Sequence, residues 1–258
     1  MGLSLIISVY NDYPALQCVL NSLVLQSHKN FEIIIAHDSN DVTIHSLIQK
    51  YQSALQIKVV QQEDLGFRKN EILNKSIEQT SFDKIVFIDG DCMLHKHFIR
   101  NYERCIVKGR CCAGRRLDVD SKTASLLRSN SIQKANLFHF IKNKTKRIEE
   151  LLYAPCFPQS LLSKPKLLGC NMGWHKLDLI ALNGFDEDYQ NPGYGEDVDI
   201  EWRAVKLGIL PYSMRFKAIQ FHLEHARPNR KEIVEKAKDM IDQKIMIGMA
   251  RCQNGLSK

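Results

Sequence analysis

The sequence predicts an α/β protein with a mostly parallel central sheet that helices cover on both faces. Three observations predict this class. Short runs rich in aliphatic and β-branched residues, typical of strands, recur along the chain. Stretches with apolar residues at helical spacing separate them. Within about the first ninety residues, four strand-like runs alternate with three helix-like stretches. Strands that are joined by helical crossovers pair in parallel, and such sheets are buried on both faces.

The first strand is predicted at Leu3–Val9, because the apolar run stops there before Asn11 and Asp12. The first helix follows, since Pro14 suits its first turn and an apolar stripe of 3.6-residue period continues to Val24. The later elements of this half are strands at 31–36, 57–60 and 84–88 and helices at 44–54 and 68–79. Ligands of such sheets bind at the carboxyl ends of the strands, so the polar residues after each strand are the first candidates for a site.

The pattern loosens after residue 98. Residues 108–166 combine basic clusters with prolines and are predicted to form a long irregular excursion. A strand is predicted at 218–221, directly before His222, and an amphipathic helix is predicted at 231–247.

Composition and the motifs that are absent exclude several classes of function. The chain has 258 residues, 44% of them hydrophobic, a net charge of +7, and 8 cysteines without zinc-site spacing, so reduced thiols are expected. No apolar run approaches the ~20 residues that cross a bilayer. Because no signal-peptide pattern is present and Ile6 replaces the Ser or Thr of a myristoylation motif, the chain is expected in the cytoplasm. The sequence lacks dinucleotide, P-loop, serine-hydrolase and zinc-protease motifs, and its basic clusters lack interleaved aromatics, which disfavours nucleic acid as a partner.

Two carboxylates follow the fourth predicted strand, in Asp89-Gly90-Asp91. Side chains at i and i+2 of an extended chain point to one side, so both can converge on a hard cation such as Mg²⁺ or Mn²⁺. The glycine leaves room for a ligand close to the backbone. The alternative is a surface turn that closes the strand, since Asp and Gly are common turn formers.

A second acidic cluster, Glu196, Asp197 and Asp199, follows the glycines of residues 193–195. The pattern indicates a tight turn that delivers acids to the start of a helix, where one of them can act as a general base. Helix capping is the alternative role for the same residues. Either His222 or His225 can complete an oxygen-rich metal site as a neutral imidazole ligand, although a single histidine is more often a packing or hydrogen-bonding residue.

These blocks occur in the order found in family 2 glycosyltransferases of the GT-A type, which the sequence resembles from about residue 3 to 227. Its second half is similar to the galactosyltransferase-like region of bacterial chondroitin-polymerase-type and β-1,4-galactosyltransferase-type enzymes. The resemblance implies one GT-A domain over 1–258. It comprises a Rossmann-like nucleotide-sugar-binding half at 1–93, an acceptor and catalytic half at 94–228, and a C-terminal amphipathic helix at 229–258.

The resemblance also assigns roles to single residues. Asp197 is the catalytic base, Glu196, Gly195 and Asn171 bind the acceptor, and Asp91 and His222 bind the metal, with His225 as the alternative to His222. Asp89 contacts the ribose or the sugar of the donor. The remaining donor-binding positions are Tyr10, Asn11, Asp38, Asp64, Arg68 and Asn74. The chain departs from the family pattern at His37, Leu73 and Tyr194.

The function expected from this resemblance is an inverting, Mn²⁺- or Mg²⁺-dependent transfer of a hexose or N-acetylhexosamine from a UDP-sugar. The acceptor is expected to be a saccharide, free or lipid-linked, in surface polysaccharide or lipopolysaccharide synthesis. The alternatives are a sugar-1-phosphate nucleotidyltransferase and a non-catalytic nucleotide-sugar-binding protein. The basic segment 134–147 and the final helix suggest peripheral association with the inner face of the membrane, and a solvated helix face is the competing interpretation.

Overall fold

The computed structural model describes residues 2–129, 146–192, 195–225 and 231–257. Seven strands form the central sheet in the order β3-β2-β1-β4-β8-β6-β9. They are β1 (Leu3–Val9), β2 (Phe31–His37), β3 (Ile57–Gln61), β4 (Lys84–Asp89), β6 (Arg110–Ala113), β8 (Asn171–His175) and β9 (Leu210–Ser213). Only β8 runs antiparallel to its neighbours, β4 and β6, among the pairs of this sheet.

A second sheet of three short strands has the order β5-β10-β7, with β5 at Cys92–Leu94, β7 at Leu117–Val119 and β10 at Gln220–Leu223. The helices are α1 (Tyr13–Val24), α2 (Thr43–Gln49), α3 (Lys69–Glu78), α4 (Phe98–Cys105), α5 (Ser121–Arg128), α6 (Lys176–Leu182), α7 (Glu196–Lys206) and α8 (Lys231–Ile247). No helix within the described ranges is both long and apolar enough to cross a membrane.

The central sheet is buried on both faces, as its apolar strands predict. Alternate residues of β1 belong to different clusters: Leu5 and Ile7 pack in the core that includes α1, and Ile6 packs in the core that includes Phe87 and α3. Strands from both predicted halves of the chain contribute to this one sheet. The α/β class with a mostly parallel sheet is therefore confirmed.

Most predicted elements of the first half lie where the sequence places them, and three predictions need correction. The helix predicted at 44–54 ends at Gln49, because successive turns such as Ala54 N–H to Tyr51 O (2.9 Å) follow it. The predicted excursion at 108–166 contains β6, β7 and α5, whose three- to eight-residue lengths give a weak periodic signal. The strand predicted at 218–221 is β10, which starts at Gln220 because Ala218 closes a turn on Met214. His222 therefore lies within the strand.

A buried carboxylate of β2 links β1, β3 and the loop before β4. Glu32 of β2 accepts hydrogen bonds from Ser4 Oγ (2.7 Å) and Ser81 Oγ (3.0 Å), and its Oε2 lies 2.9 Å from Lys58 Nζ. Burial alone would raise the pKa of Glu32, but the hydrogen bonds from Lys58, Ser4 and Ser81 outweigh it and lower the pKa. The folded state therefore holds Glu32 ionised more firmly than the unfolded chain does.

We expect Glu32→Gln to lower the free energy of unfolding by about 2 kcal/mol at pH 7, because charge-assisted hydrogen bonds to a fully buried carboxylate are lost. A lowered pKa stabilises above the unfolded value and is lost as the pH falls, so the difference from wild type should shrink below pH of about 4. Urea unfolding at pH 7 and pH 3.5 measures both effects. Glu78→Gln, at the exposed end of α3, is the control, and an equal loss in the two variants would contradict this role of Glu32.

Candidate active site

The carboxyl ends of β1 and β2 bring polar groups together with the loop after β3. Asp38 accepts hydrogen bonds from Gln62 Nε2 (2.7 Å) and from the backbone N–H of Arg68 (3.2 Å). Tyr10 donates its hydroxyl to Asp64 Oδ2 (2.9 Å), and this hydrogen bond together with the Asp64 charge raises the pKa of Tyr10. Four of the predicted donor-binding residues thus lie in one region of the sheet edge, and the adjacent Asn11 is exposed beside Tyr10.

A lysine that the sequence argument missed links the two acidic clusters. Lys69, the first residue of α3, places Nζ 2.8 Å from Asp89 Oδ1 and 3.8 Å from Glu196 Oε1. Ser8 Oγ donates to the same Asp89 oxygen at 2.7 Å. Burial alone would lower the pKa of Lys69, but the charges of Asp89 and Glu196 raise it, so the ammonium is retained. Burial raises the pKa of Glu196, and Lys69 opposes that shift.

Asp197 lies in the first turn of α7, as predicted, and a glycine allows the chain to enter that helix. Gly195 has φ +125°, and a Cβ there would lie 2.5 Å from Tyr189 Cδ1. Asp197 accepts hydrogen bonds from the backbone N–H groups of Gly169 (3.2 Å) and Val198 (2.9 Å). The carboxylate is therefore oriented by backbone donors near the positive end of the helix dipole.

Asp91, His222 and His225 form the one group of metal-binding side chains found within the described residues, with ligand atoms within 4.8 Å of one another. Asp91 Oδ2 lies 3.3 Å from Nε2 of both histidines. Antiparallel pairing of β10 with β5 puts His222 opposite Cys92, the residue after Asp91. Burial alone would raise the pKa of Asp91, but the hydrogen bond and charge of His222 lower it to about 2. The ionised carboxylate is the form that binds a cation.

This cluster differs from the expectation that both carboxylates of Asp89-Gly90-Asp91 converge on one cation. Asp89 hydrogen-bonds Lys69 and Ser8 instead and lies outside the cluster, and its convergence with Asp91 on a cation stays a prediction. The sequence analysis also missed Asp118 of β7, which lies beside His222. Asp118 Oδ1 is 3.3 Å from His222 Nδ1, and the two residues are opposite each other in the parallel β7–β10 pair. No sequence signal marks Asp118, because the pairing joins strands about a hundred residues apart.

Two predicted site residues, Asn74 and Asn171, are buried and hydrogen-bond other parts of the fold. Asn74 is 3% exposed, donates to Phe185 O (2.8 Å) and Glu187 Oε1 (3.0 Å), and accepts from the Phe185 N–H. Asn171 is fully buried, accepts the hydroxyl of Tyr102 and donates to a backbone carbonyl. The structure thus gives both amides packing roles, and their contacts with donor or acceptor stay predictions.

The sheet order, the carboxylates at the strand ends and the Asp-His-His cluster together define a GT-A type glycosyltransferase fold. The sequence profile of Glycosyl transferase family 2 matches residues 4–159, more than half of the chain, and the chain belongs to that family. The similarity to chondroitin-type synthases is also confirmed, since the chain is 29% identical over 103 residues to the chondroitin synthase of Pasteurella multocida. That match covers 40% of this chain and 11% of the synthase.

Solved structures share the fold. Staphylococcus aureus TarS 1–349 in complex with UDP-GlcNAc superposes with a TM-score of 0.60 at 17% identity, covering 95% of this chain and 67% of that one. The mannosyltransferase PcManGT of Pyrobaculum calidifontis, in complex with GDP-Man and Mn²⁺, superposes with a TM-score of 0.62 at 13% identity, covering 95% of this chain and 64% of that one. Across the curated relatives compared, the chain spans between 11% and 52% of their length.

Proposed function

We propose that the protein is an inverting, metal-dependent glycosyltransferase that moves a hexose or N-acetylhexosamine from a UDP-sugar to a saccharide acceptor. The acceptor belongs to surface polysaccharide or lipopolysaccharide synthesis, free or lipid-linked. The observation that carries the proposal is the juxtaposition of three parts: the Asp91-His222-His225 cluster, Asp197 at the start of α7, and Lys69, which joins the Asp89 strand end to that helix.

The side chains of Asp91, His222 and His225 suit a divalent cation. One ionised carboxylate and two imidazoles suit Mn²⁺ better than Mg²⁺, because Mg²⁺ prefers oxygen ligands only. A bound cation would supply positive charge opposite a diphosphate leaving group. Manganese accompanies the donor in the PcManGT structure, which supports the same choice here.

The chain's own residues supply the remaining roles. Asp197 accepts the proton of the acceptor hydroxyl, while backbone hydrogen bonds keep its carboxylate oriented. Asp38, Tyr10, Asn11, Asp64 and Arg68 receive the nucleoside at the sheet edge, and Asp89 contacts its ribose or the donor sugar. One base and one in-line displacement imply inversion at the anomeric carbon, as in inverting glycosidases.

A donor assay tests the proposal. Purified protein with Mn²⁺ should release UDP from at least one of UDP-glucose, UDP-galactose, UDP-GlcNAc and UDP-GalNAc, and faster than it releases GDP from GDP-mannose. Pyrophosphate release from UTP and a sugar 1-phosphate, with no UDP release from the UDP-sugar panel, would favour the sugar-1-phosphate nucleotidyltransferase. Calorimetric UDP binding with no turnover on the panel would favour the non-catalytic alternative.

We also propose that the protein associates peripherally with an anionic membrane at its cytoplasmic face. The support is the net charge of +7 and the end of α8, where Met246 is 80% and Ile247 66% exposed. Most of the basic segment 134–147 lies outside the described residues. Co-sedimentation with liposomes that contain anionic lipid, and none with neutral liposomes, is the expected result. Equal recovery from both would oppose the proposal.

Asp118 should act on the metal through His222. A carboxylate that holds the second ring nitrogen of a ligating histidine fixes its tautomer and orientation. We expect Asp118→Asn to weaken Mn²⁺ binding by about 10–100-fold, as measured by Mn²⁺ electron paramagnetic resonance. Asp120→Asn is the matched control, because Asp120 caps α5 through Thr123 N–H and lies two residues away. Unchanged Mn²⁺ affinity in Asp118→Asn would argue against this role.

A further inference from the structure

A cavity of about 180 Å³ lies beside the start of α3. Its wall combines three amides, two carboxylates and a guanidinium, from Asn70, Gln190, Asn254, Glu71, Glu187 and Arg68. Asn254 belongs to the C-terminal segment, and its backbone O accepts a hydrogen bond from the Glu187 N–H at 2.9 Å. The proposed function assigns Arg68 to the nucleoside and gives no ligand to the three amides, of which Asn70 and Asn254 also donate to Asp186 O (2.7 Å) and Asp188 Oδ1 (3.3 Å).

Two buried polar atoms at this cavity lack hydrogen-bond partners in the part of the chain that the structure describes. Asn70 is 2% exposed and donates Nδ2 to Asp186 O at 2.7 Å, while its Oδ1 has no partner. Arg68 binds Glu71 Oε2 through Nη1 (3.2 Å), while its buried Nε has none. One acceptor and one donor, two residues apart in sequence, are therefore unsatisfied, which native proteins rarely leave without a ligand or a water.

We propose that this cavity binds one pyranose unit of a saccharide through its hydroxyl groups. A hydroxyl both donates and accepts, so the hydroxyls of one ring can pair with the amides, the carboxylates and the guanidinium of this wall alike. Two carboxylates against one guanidinium disfavour an anionic ligand, and the polar wall disfavours a lipid chain. The volume is below the roughly 300–1,000 Å³ of drug-sized pockets, which fits a single ring.

The cavity adjoins the proposed reaction centre through Tyr189. This residue lines the cavity and packs against Gly195, the residue before Glu196 and Asp197. On the opposite side, Arg68 precedes Lys69, which ion-pairs with Glu196. The cavity would thus hold an acceptor unit next to the one that receives the sugar, and this assignment rests on the proposed function.

Saturation-transfer difference NMR tests the inference without turnover. The probes are the methyl glycosides of glucose, galactose, mannose and N-acetylglucosamine, with the protein saturated by UDP and Mn²⁺. We expect at least one glycoside to give signals, and Gln190→Trp, at an exposed lining position, to reduce them at least fivefold by filling the cavity. Asn254→Ala should weaken binding about fivefold, because one amide is lost. Gln52→Trp, exposed in the turn between α2 and β3, is the matched control and should behave as wild type.

Signals from no glycoside, or signals that neither Gln190→Trp nor Asn254→Ala reduces, would overturn the inference. A separate UDP-release assay keeps the two proposals distinguishable. Turnover with no cavity-dependent binding removes the saccharide subsite alone, whereas cavity-dependent binding with no turnover on any donor removes the proposed transferase activity alone.

Discussion

Asp197→Asn should lower kcat for sugar transfer by about 10²–10⁴-fold, the range that a positioned general base contributes. The Gly169 N–H donates to Asp197 Oδ2 (3.2 Å) and the Val198 N–H to Oδ1 (2.9 Å), so the amide oxygen of Asn keeps only one of these two hydrogen bonds. Circular dichroism and the UDP affinity of the variant, which should both match wild type, separate the loss of the base from this local change. The loss should appear in kcat because the acceptor hydroxyl keeps its proton until late in the displacement.

Glu196 is the rival base, and the structure separates the two residues by their neighbours. Glu196 lies 3.8 Å from the Lys69 ammonium, whereas no salt bridge joins Asp197 to a cationic side chain among the described residues. Burial raises the pKa of Glu196 despite the Lys69 charge, so the two residues differ in geometry: a cation engages Glu196, whereas backbone N–H groups orient Asp197. Glu196→Gln should accordingly raise the acceptor KM more than it lowers kcat, in keeping with an acceptor-binding role.

Steady-state kinetics with varied acceptor, together with UDP calorimetry, measures both variants. Asp242→Asn on the exposed surface of α8 controls for the loss of one negative charge. A kcat within threefold of wild type in Asp197→Asn would mean that another group takes the proton. A larger kcat loss in Glu196→Gln than in Asp197→Asn would exchange the two roles.

The sequence predicted the parts of the site that local signals specify. Apolar runs located β1, β2 and β4, and the polar residues after them, such as Asp38 and Asp89, lie at the sheet edge because parallel strands end on one side. The glycine before Glu196 likewise located the start of α7. In each case a feature within a few residues fixes the conformation.

Long-range pairing determined what the sequence did not show. β10 inserts between β5 and β7, and this pairing alone brings His222 to Asp91 and Asp118. Three- and four-residue strands carry too little periodicity to reveal such partners. Lys69 was missed for a related reason: a lysine at the first position of a helix is ordinary until β4 and α7 place carboxylates on both sides of it.

Asp91→Asn should abolish tight Mn²⁺ binding, with an affinity loss of at least about 100-fold, because an amide replaces the one anionic ligand of the cluster. Chelation of wild-type protein with EDTA should remove transfer activity, and added Mn²⁺ should restore it. Mn²⁺ electron paramagnetic resonance measures the affinities directly, and circular dichroism checks that the variant remains folded.

The two histidines are expected to contribute unequally to Mn²⁺ affinity, although Nε2 of each lies 3.3 Å from Asp91 Oδ2. His222 is 3% exposed, lies within β10 and has Nδ1 3.3 Å from Asp118 Oδ1, whereas the side chain of His225 is 39% exposed and follows the strand. A ligand that is already oriented loses less entropy on binding, so its removal costs more. His222→Ala should therefore weaken Mn²⁺ binding more than His225→Ala does, and His45→Ala on the exposed side of α2 should have no effect. The reverse order would make His225 the principal ligand and leave His222 as a residue that holds β10 to Asp118.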